Sequence, residues 1–373
     1  MKRKPKMILY TILGILVVAA LGVVIFLNTA PQLGAVPAGE RLKRMEASPN
    51  YKDGVFQNLV PTPLEIPVSL MASSAYKMLV GFPEAEPDQP IKTVPLDHSK
   101  FTGPGSATEV AVSWFGHSSV LIRMEGKTIL TDPVFGERAS TFSFMGPKRF
   151  NYDHHVTVDD LPPLDAVILS HDHYDHLDYP TILRLKGKVK RFFVPLGVGA
   201  HLEKWGIDPA YITELDWWQS AKLGDLELVC APSRHFSGRS FKRNGTLWSS
   251  WVLLGRERRV YFGADSGYYP GFKTIGEKYG PFDLALLECG AYNEAWANIH
   301  MMPEETAQAQ VDVKAKKLIP IHWAKFNLAP HPWREPIRRI TKKSAELGTT
   351  LITPRIGEVT VLDVYMPQTQ WWE

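Results

Sequence analysis

A short apolar run followed at once by histidines and aspartates constrains the fold of this chain more than any other feature. Residues 166–169 are apolar, partly β-branched and bounded by turn formers, which predicts a buried strand. The next seven residues, 170–176, read Ser-His-Asp-His-Tyr-Asp-His. Loops at strand ends carry the chemistry of many α/β proteins. Imidazole and carboxylate groups together suit Zn²⁺, and less specifically Fe or Mn, so this loop predicts a metal site rather than a polar surface loop.

Further histidines and aspartates follow other strand-like runs. From about residue 109 the pattern becomes strand-rich, opening with antiparallel strands, and later strands alternate with helical stretches, one of them predicted from 303 to about 316. This alternation predicts an α/β (α+β) fold in which several strand ends meet at one rim. The residues that would meet there are His171, His235, Asp265 and His322. Asp132 ends another strand near the rim, where it either orients a metal ligand or caps a turn.

The number of candidate ligands favours two metal ions over one. His171 and His173 stand two positions apart, so they can point the same way on an extended loop, and Asp175 and His176 follow where the chain turns. In two-metal sites the ions lie about 3.5–4 Å apart and share a bridging water-derived hydroxide. An aspartate oxygen would bridge them as well. The chemistry that uses such a site is hydrolysis of an ester, lactone, amide or phosphodiester.

The N-terminus carries a second strong signal. Residues 8–27 form an uncharged apolar run of 20, enough to cross a bilayer core of about 30 Å as a helix. Basic residues before the run predict a cytoplasmic N-terminus with the rest of the chain on the far side, periplasmic or extracellular in a bacterium. These residues are Lys2, Arg3, Lys4 and Lys6. A cleaved signal peptide, and hence a secreted domain, is the alternative, but its apolar region is usually only about 7–15 residues long.

These signals divide the chain into three parts. Residues 1–30 are predicted to be a basic tail and membrane anchor, 31–105 a Pro-rich connector with a short helix, and 106–373 the catalytic domain. Apolar side chains at helical spacing in the connector predict that the short helix packs against the domain, with contact to membrane lipid as the alternative. These side chains are Met71, Ala75, Met78, Leu79 and Phe82.

Charge and cysteine content exclude some classes of function. The formal net charge of the chain is +3, and the basic N-terminal cluster accounts for it. The rest of the chain is near neutral and lacks the positive electrostatic potential that attracts nucleic acid. Cys230 and Cys289 each lie in a strand-like apolar run. We therefore expect two buried free thiols rather than a disulfide.

The motif HxHxDH at 171–176 resembles the metallo-β-lactamase superfamily. Residues outside the motif extend the resemblance; they are Gly116, His117, Asp132, His235, Asp265 and His322. The resemblance implies an αββα sandwich, in which two mixed sheets lie face to face with helices outside. Residues of about 110–330 further resemble the N-acylphosphatidylethanolamine-hydrolysing phospholipases D. Segments that carry this likeness are 145–150, 161–163, 171–179, 214–218, 280–284 and 321–323.

This resemblance implies roles for individual residues. One zinc would be held by His171, His173 and His235. A second would be held by Asp175, His176 and His322, with Asp265 as the bridge. Asp175, Asp265 and His300 would act in catalysis, and Tyr174 and His300 would contact the lipid substrate. For Tyr174 a packing aromatic, and for His300 a loop histidine, remain the alternatives.

The implied reaction is attack of the bridging hydroxide on phosphorus, which releases N-acylethanolamine and leaves phosphatidate in the membrane. The expected partners are thus a membrane phospholipid as substrate and the bilayer itself, with the oligomeric state left open. Two alternatives are a lactonase or a phosphodiesterase on a soluble substrate. A third is an envelope protein that binds metal without turnover, which the complete ligand set disfavours.

Overall fold

In the computed structural model, residues 3–63, 67–103, 106, 108–239 and 242–373 are described, without the side chains of 3–6 and 28. Lys2 of the predicted basic cluster, the side chains of its other members and residue 105 at the predicted domain boundary therefore lie outside the description. The helices are α1 (Arg3–Thr29), α2 (Gly39–Glu46), α3 (Val68–Val80), α4 (Tyr179–Leu185), α5 (Gly199–Lys204), α6 (Gly271–Tyr279), α7 (Pro303–Asp312) and α8 (Glu335–Leu347).

The strands form a short hairpin and two large sheets. In chain order they are β1 (Tyr51–Lys52), β2 (Val55–Phe56), β3 (Val110–Trp114), β4 (Val120–Met124), β5 (Lys127–Thr131), β6 (Ala166–Ile168), β7 (Phe192–Pro195), β8 (Ile212–Leu215), β9 (Ser220–Leu223), β10 (Leu226–Ala231), β11 (Ser250–Leu254), β12 (Arg259–Ala264), β13 (Leu284–Glu288), β14 (Lys317–Ile321), β15 (Thr350–Leu351) and β16 (Val359–Val361). One sheet has the order β16-β3-β4-β5-β6-β7-β8 and the other β15-β14-β13-β12-β11-β10-β9.

Both sheets are mixed, as predicted. In the first sheet the pairs from β16 to β5 are antiparallel and those from β5 to β8 are parallel. The second sheet is antiparallel from β9 to β12 and parallel from β12 to β15. Because side chains alternate along a strand, Val110 and Val112 face the second sheet, whereas Ala111 faces the core beneath α4 and α5. The predicted αββα sandwich is confirmed.

Several local predictions are confirmed and two are wrong in detail. Cys230 and Cys289 are buried free thiols. The helix predicted from 303 to about 316 ends at Asp312, because Lys314 takes a left-handed conformation (φ 59°) that turns the chain into β14. The short helix of the connector exists as α3, but its packing prediction is wrong. Ser74 is its only buried residue, and Leu79 is 86% exposed, because α4 to α8 already cover the sandwich and α3 lies at the rim.

α1 contains an apolar stretch, Met7–Leu27, that is long enough to cross a membrane. No residue in the most apolar part of this stretch is buried. A signal sequence near the N-terminus can also contain an apolar helix of this length. The segment between α1 and α3 then returns to the sandwich. The backbone N–H of Ala35 donates to His201 Nδ1 at 3.0 Å, and the Arg41 guanidinium pairs with the buried Glu214 at 2.9 Å. The segment that follows α1 thus packs on the domain that comes after it. The predicted division at 30 and 105 stays a prediction.

A buried lysine beneath the rim gives the fold a pH dependence. Lys325 is 3% exposed and donates to the carbonyls of Phe115 (3.1 Å) and Val134 (2.7 Å). Burial, reinforced by nearby Arg149, lowers its pKa to about 7. Between that value and the lysine pKa of about 10.4 in an unfolded chain, the unfolded state binds a proton that the folded state does not. Lys325 should therefore contribute up to about 1.4 kcal/mol per pH unit, with positive sign, to the slope of the free energy of unfolding in this window.

Chemical denaturation at pH about 7.5 and about 9.5 measures the total slope, and Lys325→Met should make that slope less positive by the Lys325 contribution. Lys316→Met is the matched control, because the Lys316 side chain is 57% exposed, unlike that of Lys325, and pairs with Asp283. An equal slope in wild type and Lys325→Met would contradict the assignment.

Candidate metal centre

Strands of both sheets deliver polar side chains to one rim of the sandwich. Within each sheet the strands concerned run in the same direction, since they are joined by parallel pairs or separated by one antiparallel strand. Their carboxyl ends therefore meet at one edge. The residues brought together are His117 after β3, Asp132 after β5, the loop 170–176 after β6, His235 after β10, Asp265 after β12, Glu288 at the end of β13 and His322 after β14.

Three of the predicted ligands form one cluster. His173 Nδ1 lies 2.9 Å from His171 Nε2 and 3.3 Å from His235 Nε2, and the ligand atoms of all three lie within 4.8 Å of one another. Burial lowers the pKa of each imidazole, and for His171 and His235 the pKa falls well below its usual range. Neutral imidazole is the form that binds metal ions, so this cluster is ready for a metal without losing protons.

A second cluster adjoins the first. Its members are His117, Asp175, His176 and His322. Asp175 Oδ2 lies 2.9 Å from His117 Nε2, and His176 Nε2 lies 3.2 Å from His322 Nε2. Burial alone would lower the pKa of His322, but Asp265 and Asp175 outweigh it and raise that pKa to about 10.

Asp265 lies between the two clusters. Its Oδ2 is 3.0 Å from His322 Nε2, 3.1 Å from His176 Nε2, 3.7 Å from His235 Nε2 and 3.9 Å from His171 Nε2. Its other oxygen, Oδ1, is buried and has no hydrogen-bond partner among the described residues. A buried carboxylate oxygen without a partner is costly, and a cation would satisfy it. The donor set of imidazoles and carboxylates thus fits metal ions on both sides of Asp265.

Residues behind the predicted ligands fix the direction of two of the rings, those of His176 and His235. Asp132 Oδ2 accepts from His176 Nδ1 at 2.8 Å, and the carbonyl of Ile299 accepts from His235 Nδ1 at 2.9 Å. Asp132 also accepts from the backbone N–H and the hydroxyl of Ser170. The rings of His176 and His235 therefore present Nε2 to the centre. Of its two predicted roles, Asp132 takes the orienting one.

The rim is also strained. Four non-glycine residues at strand ends have positive φ, a conformation that persists only where the surroundings impose it. They are His117 (53°), Asp132 (35°), Ala264 (51°) and His322 (65°). At each of these turns, either the residue itself or its neighbour, as Asp265 after Ala264, places a polar side chain at the centre.

We expect Asp132→Asn to weaken metal binding by about 10–100-fold, the usual cost of losing such an outer contact. The amide would place an NH₂ group against the N–H of His176, which leaves two donors facing each other. Zinc titration with a competing chelator measures the effect. Asp178→Asn is the matched control, since Asp178 is also buried but accepts from Gly136 and Thr181 instead. Equal metal affinities in both variants would contradict the orienting role of Asp132.

Two residues of the centre were missing from the predicted site. His117 was noted only as part of the family pattern, yet its ring lies 3.9 Å from that of His322. Glu288 is fully buried and accepts from the backbone N–H groups of Ser266 (3.0 Å) and Met301 (3.3 Å) and from His300 Nδ1 (2.9 Å). The signal for Glu288 was an acid at the end of an apolar run, 284–287.

The two predicted substrate contacts lie in different places. His300 lines a cavity of about 490 Å³ at the centre, together with His173, Asp175, Asp265 and His322. The Arg239 guanidinium carbon lies over the Tyr174 ring, 4.1 Å from the ring centroid. The Tyr174 hydroxyl donates to the Arg239 carbonyl at 2.6 Å. Tyr174 borders a neighbouring cavity with Phe142 and Asp178.

Comparisons with known proteins agree with this geometry. Residues 127–323 match the family model described as the beta-lactamase superfamily domain. This chain belongs to the beta-lactamase superfamily. An uncharacterised protein of Mycobacterium tuberculosis is 44% identical over 350 residues, which cover 92% of each chain. The N-acyl-phosphatidylethanolamine-hydrolyzing phospholipase D 1 of Caenorhabditis elegans is 36% identical over 273 residues, 68% of this chain and 76% of the relative.

Among solved structures, the metallo hydrolase Igni18 of Ignicoccus hospitalis aligns with a TM-score of 0.54 at 22% identity, over 69% of this chain and 99% of that one. That likeness shows the fold. Together with the family match and the clustered ligands, it makes this superfamily member a metal-dependent hydrolase.

Proposed function

We propose that this superfamily member is a two-zinc phosphodiesterase of the phospholipase D type. It would hydrolyse N-acylphosphatidylethanolamine to N-acylethanolamine and phosphatidate. The observation that carries the proposal is the pair of adjoining ligand clusters that share Asp265 beside a cavity of about 490 Å³. The relative from Caenorhabditis elegans, named for this reaction, supports the choice of substrate.

The residues present fit two ions. His171, His173 and His235 would hold one, and Asp175, His176 and His322 the other, with Asp265 between them. Bound zinc supplies Lewis acidity and activates water for attack on phosphorus. The two carboxylates keep the imidazole-rich centre from accumulating positive charge. Hydrolysis adds the elements of water across the P–O bond, so oxygen from water ends in phosphatidate and the alkoxide leaves as an alcohol after gaining a proton.

His300 is placed to handle that proton. Its Nδ1 donates to the buried Glu288, which leaves Nε2 for the cavity. The ring centroid of His300 lies 5.3 Å from that of His322, close enough for the leaving oxygen to reach it from the centre. Apolar side chains take up the rest of the cavity wall and suit an acyl chain. They are Met71, Phe236, Ala291, Trp296, Ile299 and Leu328, and Arg243 in the same lining offers a positive charge to a phosphate.

The test is product analysis. Full-length chain loaded with zinc is incubated with N-acylphosphatidylethanolamine vesicles in ¹⁸O-water, and the lipids are examined by mass spectrometry. We expect N-acylethanolamine without label, phosphatidate with one labelled oxygen, and no products from His322→Ala. No release by a chain shown to hold zinc would contradict the lipid reaction. Turnover of a water-soluble phosphodiester or a lactone by that same chain would then identify the alternative substrate class.

A further inference from the structure

α3 exposes apolar side chains that a helix of a water-soluble domain normally buries. Ser74 is its only buried residue. The exposed apolar side chains are Val68 (75%), Met71 (52%), Tyr76 (66%), Met78 (40%), Leu79 (86%) and Val80 (57%). The helix has no acidic residue, and Lys77 is its one charged residue. A lysine can bury its stem along an apolar surface while its ammonium group stays in water.

α3 lies at the mouth of the metal-site cavity. Met71 lines that cavity together with Trp296 and His300. The chain that leads into α3 is fastened to the rim by Arg234, which follows β10 directly before His235. The Arg234 guanidinium donates to the Pro61 carbonyl at 3.0 Å and to the Asn298 side chain at 2.8 Å. These bonds hold the chain at Pro61 against the loops around the ligands, and the contact of Met71 with the cavity places α3 beside it.

The end of α1 reaches the other side of the same rim. Phe26 of α1 stacks on Phe142 with ring centroids 5.0 Å apart, and the loop that carries Phe142 also exposes Phe144 (75%) and Met145 (55%). Just after α1, the Gln32 carbonyl accepts from Arg239 Nε at 2.9 Å. Arg239 Nη1 in turn donates to the Asp172 carbonyl within the metal loop at 2.7 Å. Apolar groups therefore lie at α3, beside the cavity, and at the end of α1, beside the neighbouring cavity that Tyr174 borders.

We propose that α3 is an interfacial helix, which lies in the surface of the bilayer that α1 enters and turns the cavity mouth towards lipid. The proposal rests on the lipid substrate of the proposed function and on the predicted anchoring of α1 in the membrane. A bilayer fits better than a second copy of the chain, because α1, the Phe144–Met145 loop and α3 are three separate apolar features at one rim. A flat apolar phase can cover all three at once. The single lysine of α3 can keep its ammonium group in water while the aliphatic and aromatic side chains enter the bilayer surface.

A fluorophore on α3 tests the contact directly. Leu79→Cys in the full-length chain is labelled with an environment-sensitive probe, which Cys230 and Cys289 escape because both are buried. The protein is then placed in vesicles that contain lipids with a spin-label quencher. We expect a blue-shifted emission that the lipid quencher reduces. An emission that stays at its aqueous wavelength and is not quenched, in protein that sediments with the vesicles, would overturn the proposal.

Val364→Cys is the matched control. Val364 is 81% exposed and lies at the opposite end of the sandwich, since the neighbouring Asp363 pairs at 2.7 Å with Lys317 at the start of β14, whereas His322 follows the end of that strand. Its probe should remain aqueous and unquenched. Cross-linking of two chains through the new thiol in place of Leu79, without lipid quenching, would identify a second copy as the occupant and overturn the bilayer.

An activity pair separates this proposal from the proposed function. Leu79 does not line the cavity among the described residues, so Leu79→Glu should keep full activity on a soluble phosphodiester such as bis(p-nitrophenyl) phosphate. On vesicle substrate the rate should fall about tenfold, the scale expected from losing one large apolar side chain at the interface. Val364→Glu should change neither rate. Equal loss of both activities in Leu79→Glu would overturn the interfacial role. Lipid quenching without any lipid hydrolysis would support α3 as interfacial and count against the proposed substrate alone.

Discussion

Asp265→Asn is expected to lower kcat/KM by at least about 100-fold on any substrate of this centre, the scale of losing one charged or polar group that acts on the transition state. The reason for this loss is the position of the Asp265 carboxylate between the two clusters. The Asp265 carboxylate lies within 3.0–3.9 Å of Nε2 of four histidines that belong to two clusters. Without the negative charge of Asp265, Asp175 and Glu288 would be left to offset the positive charge of the metal and the imidazoles. Loss of metal and loss of turnover should therefore go together.

The measurement is kcat/KM on vesicle and soluble substrates, with metal content determined by elemental analysis on the same preparation. Asp283→Asn is the matched control. Asp283 is also buried and lies on the same sheet, but it precedes β13 at the end remote from the rim and accepts from the Arg259 N–H and Lys316. That variant should lose stability and keep its activity per folded molecule. Full activity and metal content in Asp265→Asn would show that the working centre lies elsewhere.

The part of the site that could be predicted from the sequence is the part that short stretches of neighbouring residues encode. The motif 171–176 and the residues after β10, β12 and β14 stand out because each follows an apolar strand, and parallel strands end at one edge. His117 did not stand out. Its partner Asp175 is 58 positions away, and a single histidine after a strand is usually structural. Its place in the centre depends on how β3 and β6 come together in the sheet.

α3 shows a different limit. Its periodicity predicted a helix with an apolar face, and the helix is there. Periodicity states which side chains share a face but not what covers them, and the choice of the domain as partner was wrong. The burial of Lys325 beneath the rim could not be predicted either, because no local pattern distinguishes it from an exposed lysine. Both features depend on packing between segments far apart in the chain.

Metal removal is the second change with a large expected effect. A chelated chain should lose hydrolysis and unfold at a lower temperature, and zinc should restore both. The folded state alone gathers the ligands, so metal binding adds to the free energy of unfolding, by about 4 kcal/mol when the free metal concentration is a thousand times the Kd. The rim without metal also keeps the Asp265 Oδ1 atom buried without a partner among the described residues. We expect about two zinc ions per chain at saturation, which elemental analysis measures.

The comparison of two histidine variants makes this result specific. His235→Ala removes a ligand of the three-histidine cluster, so the rise in unfolding temperature on adding zinc should shrink. His331→Ala should keep the full rise, because His331 lies outside the clusters, where it stacks on Tyr292 and contacts the Gly290 carbonyl at 2.8 Å. Any surface histidine can bind zinc weakly, but such binding would shift both variants alike. Equal rises in the unfolding temperature of both variants on adding zinc would therefore contradict a metal centre at this rim. A rise that is lost in His235→Ala alone would assign the stabilising ion to the rim.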